Sequence, residues 1–270
     1  MTIRTLLALA LAFSLAQGQA GKEPKPPADD PPLGKGKFLI YEDFETTNAG
    51  QIPRGYQKTG AVSVVADTAH TGRQCLRIEA AANGPRRITL RGNSVTSLGG
   101  QHWGRLYYKV QLPAPEAATG VIHSTIVAGS AKSPIDKEEI EVRPLDTILQ
   151  KNEFGYIYNV QPSKRPEFGK GSGKKFKFSD QWTLCEWYVD YATQTYRLFI
   201  EGEEVKDIAF TKGAGTFKDA EIPEVFESLS FGWYNYQQAG AGFVAWIDDI
   251  ALAKDRVGNL GLPKTVKKKP

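Results

Sequence analysis

Apolar and polar positions alternate in short runs along this chain, most clearly over residues 228–258. Leu229, Phe231 and Trp233 fall on one side of the alternation, and Ser230, Gly232, Tyr234 and Tyr236 on the other. Beyond Gln237-Gln238 and a Gly/Ala segment the pattern resumes, with Phe243, Ala245, Ile247 and Asp249 against Val244, Trp246, Asp248 and Ile250. A period of two marks strands with unlike faces, so the stretch predicts two strands joined by a Gly-rich turn. Residues 103–112 alternate as cleanly: Leu106, Tyr108 and Val110 on the core side, Trp103, Arg105 and Tyr107 on the other. Shorter runs predict strands near 38–44, 62–65, 75–80, 86–90, 122–128, 139–143, 154–160, 183–191, 195–201 and 204–210. Glu201-Gly202-Glu203 is a hairpin-turn signal. No helical period of useful length and no internal repeat occurs. Many short strands at regular spacing imply an all-β fold, a two-sheet antiparallel sandwich or jelly roll spanning 37–259.

The N-terminus has a different character. Arg4, an apolar run over residues 6–15, and Gly18-Gln19-Ala20 form the pattern of a secretory signal peptide cleaved after Ala20. A Pro/Lys-rich linker over 21–36 and a basic tail over 260–270 flank the domain. The expected location is therefore secreted or periplasmic, and no other segment is apolar enough to span a bilayer. The formal charge of +4 sits largely in the linker and tail, so it points to no nucleic-acid partner. A monomer is expected. Cys75 and Cys185 are either one disulfide of an exported protein or two buried thiols.

Candidate chemistry lies on the polar strand faces. Nucleophile-elbow, phosphate-loop, metalloprotease and Cys-x-x-Cys motifs are absent. Trp103, Arg105 and Tyr107 suit either a sugar-binding face or an ordinary solvated one. Glu139 and Glu141 form either a carboxylate pair or a surface charge ladder. Asp248-Asp249 inside an apolar strand calls for a compensating partner, because unpaired buried charge is costly.

Several pieces, in order, resemble the fungal cellulose-induced proteins of the Cip type, a concanavalin-like jelly-roll family associated with glucuronan lyase activity. They are Glu42-Asp-Phe-Glu45, Asp67-Thr-Ala-His-Thr-Gly72, His123, Arg143, Tyr158-Asn159, Phe231-Gly-Trp-Tyr-Asn-Tyr236, Trp246-Ile-Asp-Asp-Ile250 and Arg256-Val-Gly258. The chain departs from the family pattern at Glu141, where the family has His, and at Tyr234, where it has Glu. The resemblance implies a structural calcium (Ca2+) held by Glu45, Thr71, Gln74 and one of Asp248 or Asp249, since calcium takes several oxygen ligands. It also implies a polysaccharide partner, anionic in the glucuronan case. His123, Arg143, Tyr158 and Tyr236 would be catalytic, and Trp103, Arg105, Tyr107, Asn159 and Trp233 would bind substrate. His123 reads equally as a hydrogen-bonded core histidine.

Three functions follow: a uronate lyase, a non-catalytic carbohydrate-binding protein, and a glycoside hydrolase using Glu139 or Glu141. Strand parity predicts that Trp103, Arg105, Tyr107, His123, Arg143, Tyr158 and Tyr236 converge on one concave face.

Overall fold

Runs in which β-branched and aromatic residues alternate with polar ones fold into strands, because a pleated chain can bury every second side chain. The structure is a computed structural model that describes residues 38–113, 120–150, 153–240 and 242–258. The signal-peptide, linker and tail segments (1–20, 21–36 and 260–270) lie outside the described residues. In chain order the strands are β1 (Phe38–Glu42), β2 (Gln57–Thr59), β3 (Val62–Val65), β4 (Cys75–Ile78), β5 (Gly84–Arg91), β6 (Gln101–Val110), β7 (Ile122–Lys132) and β8 (Glu139–Gln150). They continue as β9 (Glu153–Pro162), β10 (Phe168–Gly171), β11 (Thr183–Asp190), β12 (Thr195–Ile200), β13 (Glu203–Glu204), β14 (Phe226–Asn235) and β15 (Ala245–Ala253).

The strands form two antiparallel sheets packed face to face. The first runs β13-β12-β11-β6-β15-β4-β3, with β1 also paired to β15, and the second runs β10-β9-β8-β7-β14-β5-β2. The expected all-β jelly roll is what forms. The core lies between the sheets. Leu106, Tyr108, Val110 and Ile247 fill it from the first, and Ile88, Val142, Phe231 and Trp233 from the second.

Two local expectations change. β14 and β15 are not a hairpin: β14 lies between β5 and β7 in the second sheet, and β15 lies between β6 and β4 in the first. The Gly-rich segment after Tyr236 is thus a crossover between sheets. Alternation reads the same for either connection, and both edges of β14 are already occupied. Glu201 and Gly202 do make the hairpin turn from β12 to β13, with φ of 52° and 81°. Two positive φ values suit a type I′ turn. The strand expected to reach Phe210 ends at Glu204, and a 3-10 turn at Lys206–Ile208 follows. Cys75 and Cys185 are both buried and free, so no disulfide joins them.

Candidate functional site

The outer face of the second sheet carries the polar side chains that its alternation turns away from the core. On β7, Ile122 and Ile126 point inward, which leaves His123 and Thr125 outward. On β8, Ile140 and Val142 point inward and Glu141 and Arg143 outward. Strict alternation would then send Asp146 into the core with the even-numbered residues. A β-bulge intervenes, since Arg143 pairs with Asn159 but Asp146 with Ile157, three steps on β8 against two on β9. The extra residue buries Leu145 and returns Asp146 to the face of Arg143. Pro144, which has no N–H for the ladder, sits at that bulge.

Asp146 is the centre of the resulting group. Its Oδ2 lies 2.7 Å from His123 Nε2, and its Oδ1 accepts from Thr125 Oγ1 at 3.0 Å. Burial pushes the Asp146 carboxyl up, and the hydrogen bond from His123 pulls against it. With Asp146 ionised, the His123 proton sits on Nε2 and the lone pair on Nδ1. Tyr236 follows β14 and is held by its backbone N–H donating to the His123 carbonyl at 3.0 Å. Its ring packs on His123 at 4.7 Å and stacks on Tyr234 at 4.1 Å. Its hydroxyl lies 3.2 Å from Thr125 Oγ1 and 3.4 Å from Glu141 Oε1. Burial raises the Tyr236 pKa, which Arg143 opposes, so the hydroxyl keeps its proton at neutral pH.

Arg143 lies over the Tyr236 ring, 4.6 Å from its centroid. Its Nε donates to Glu141 at 2.9 Å, and its Nη1 donates to Asn159 Oδ1 at 2.9 Å and to Glu167 at 3.1 Å. The remaining terminal nitrogen, Nη2, has no hydrogen-bond partner among the described residues. Arg143 is only 5% exposed, so this is a buried ion-paired arginine and not the solvated one that alternation suggests. Arg87 on β5 extends the face, 3.6 Å from Glu141 and over the Tyr234 ring. It stands opposite Gly232, where a Cβ would lie 2.2 Å from the Arg86 carbonyl oxygen, so only glycine allows this strand approach.

Five residues expected on this face lie elsewhere. Tyr158 belongs to the core: its hydroxyl donates to the Glu221 carbonyl and its ring packs on Tyr196 and Phe210. Phe154, Tyr156, Tyr158 and Val160 all point inward, which turns Ile157 outward. Trp233 is fully buried against Tyr108, Phe178 and Phe243. Trp103, Arg105 and Tyr107 do point away from the core, but from the first sheet. The outer faces of a sandwich look in opposite directions, so these residues cannot share a cleft with His123 and Arg143. The closing segment also covers them. Arg256 lies over Trp103, and Arg105 donates to the carbonyls of Asp249 and Gly258 at 3.3 and 3.0 Å. Tyr107 stacks on His70 at 3.5 Å. Glu139 points to solvent and pairs with Lys132.

The residues assigned to calcium form two hydrogen-bonded groups. Glu45 Oε1 accepts from the backbone N–H groups of Arg73 and Gln74, both at 2.7 Å. Asp248 Oδ2 accepts from His70 N at 2.7 Å and Thr71 N at 3.3 Å, and its Oδ1 from Asp249 N. Asp249 takes the Thr71 hydroxyl at 2.8 Å and faces His70 Nδ1 at 2.7 Å. Hydrogen-bond donors meet these carboxylates where a cation would require a ring of free oxygens. No cluster of three or more His, Cys, Asp or Glu suited to a metal occurs among the described residues. As placed, the set does not fit a bound calcium.

No protein-family model and no curated protein matches the chain. Among solved structures, it is similar to a cellulose-induced protein, Cip1, at TM-score 0.55 and 17% identity, over 81% of this chain and 99% of that one. It is also similar to an endo-β-1,4-glucuronan lyase from the fungus Trichoderma reesei, at TM-score 0.55 and 11% identity, over 83% of this chain and 100% of that one. Identities this low carry the fold alone, a two-sheet antiparallel jelly roll.

Proposed function

We propose that this protein is carbohydrate-active and cleaves a uronic-acid polymer by β-elimination on the outer face of the second sheet. One observation carries the reading: Asp146 holds His123 against Tyr236, and Arg143 lies over the same ring. The structural likeness to a glucuronan lyase supports the substrate class, and the leader-like N-terminus supports export.

The chemistry needs three functions at one point. A cation must neutralise the uronate carboxylate, so that the adjacent carbon can lose its proton. Arg143 Nη2 is the donor left for this, and an arginine–carboxylate contact is a strong one. A base must take that proton. His123 Nδ1 is suited to it, because Asp146 fixes the tautomer through Nε2. An acid must protonate the glycosidic oxygen as its bond to the ring carbon breaks and the new double bond forms. The Tyr236 hydroxyl keeps its proton and stands beside His123. Incubating the protein with neutral and acidic polysaccharides, and following the ultraviolet absorbance of unsaturated uronate, tests the reading. Absorbance should rise on a polyuronate. Release of saturated reducing ends instead would mean a hydrolase.

A second reading, carbohydrate binding without cleavage, is favoured by Glu141 and Glu167. Together they more than offset the charge of Arg143 and stand where an anionic sugar must approach. Binding to polysaccharide with no new absorbance would support it.

A further inference from the structure

Arg86 on β5 shares the inward parity of Ile88 and is 2% exposed, so its guanidinium enters the interior of the sandwich. Two other guanidiniums grip a carboxylate with the Nε–Nη2 edge. Arg256 grips Glu186 through Nε and Nη2, and the partly buried Arg197 grips Glu204 through the same two atoms. Among the described residues Arg86 makes one hydrogen bond, Nη1 donating to the Glu79 carbonyl at 2.7 Å. Its Nε and Nη2, the fork that binds carboxylates elsewhere in this protein, are buried with no partner among the described residues. Burial alone acts on its pKa, pulling it down to about 10.

A second empty donor lies beside it. Trp233 pairs directly with Arg86 across β14 and β5, and cross-strand partners are near neighbours on one face. The Trp233 indole N–H is also buried and unpartnered. Phe243 touches both, 5.9 Å from the Arg86 guanidinium and 5.3 Å from the Trp233 ring. A buried cation without a counter-charge is strongly disfavoured, and buried donors without acceptors add to the cost. From these three empty donors we infer a buried site for a small monovalent anion, such as a halide or a planar oxyanion, held by Arg86 Nε and Nη2 with the Trp233 N–H. Its burial excludes a polymer, so the site is separate from the sugar-binding face.

Thermal melts in halide-free buffer, with bromide, formate or nitrate added at constant ionic strength, test the site. A native-state ligand should raise the midpoint in a saturable way, by at least about 5 °C at a hundredfold excess over its dissociation constant. Arg86→Met should lose that rise. Trp233→Phe, which keeps an aromatic ring in the core, should need several-fold more anion for the same shift. A bromide-soaked crystal should show an anomalous peak beside Arg86 Nη2. A midpoint that follows ionic strength alone, or a bromide crystal without that peak, overturns the inference.

Discussion

Asp146 decides the chemistry proposed for His123, because it is the group that fixes which imidazole nitrogen can take a proton. Asp146→Asn keeps the size of the side chain and removes the charge. Turnover of a polyuronate should then fall by about 10²-fold or more, the scale of one acid–base partner, while the melting midpoint moves little. Steady-state rates beside a thermal melt check this. Arg143 behaves differently. Alternation places it on a solvated face, where alanine would be harmless, yet the structure buries it among Glu141, Asn159 and Glu167. Arg143→Ala should therefore cost about 1–3 kcal/mol in urea unfolding as well as activity, because it strands buried partners. A wild-type unfolding curve for this variant would contradict the placement.

At the scale of the strand, alternation made most of the fold legible and failed where the ladder is irregular. Residues 103–110 and 228–235 fold with the faces their sequence implies, whereas Leu112, which the period of two places with Val110, is exposed, and Val127 enters the core beside Ile126 where the β7 register shifts. Asp146 was not legible, because the bulge at Pro144–Leu145 reverses the parity beyond it; a proline within a strand was the available signal. Tyr158 departs from the expected face because Ile157 competes with it for the core, and packing against Tyr196 and Phe210 settles that competition. Gly232 gives a direct test of the β5–β14 approach. Gly232→Ala would bring a Cβ within 2.2 Å of backbone, and should destabilise by more than about 3 kcal/mol in denaturant melts. His102 on β6 tests the first sheet. It accepts from Trp187 Nε1 at 3.3 Å, and burial pulls its pKa from the ordinary 6.5 down to about 3. The unfolded chain therefore takes up this proton first. Stability should fall as pH drops below about 6.5, by up to about 1.4 kcal/mol per unit, and be flat with respect to this group above it. His102→Gln should lose one proton's worth of that slope in melts across the pH range.

For the molecule as a whole, the sequence shows which residues leave the core but not which sheet they leave from. Parity therefore groups Trp103, Arg105 and Tyr107 with His123 although they face the other way. The pairing of distant strands decides such questions, and no local pattern carries it. The ends of the domain meet in the same way, through the pairing of β1 with β15, and Glu45, Asp248 and Asp249 all bind the turn that carries Thr71. If hydrogen bonds alone hold that junction, EDTA followed by added calcium should leave the melting midpoint unchanged. A rise on adding calcium would assign a cation to it. Sugar is proposed to meet the outer face of the second sheet. Backbone amide shifts during titration with a short glucuronate oligosaccharide test it most directly. Shifts should concentrate at His123–Thr125, Glu141–Asp146 and Tyr234–Tyr236. Shifts confined to Tyr107, Trp182 and their neighbours on the first sheet, or none at saturating oligosaccharide, would contradict it.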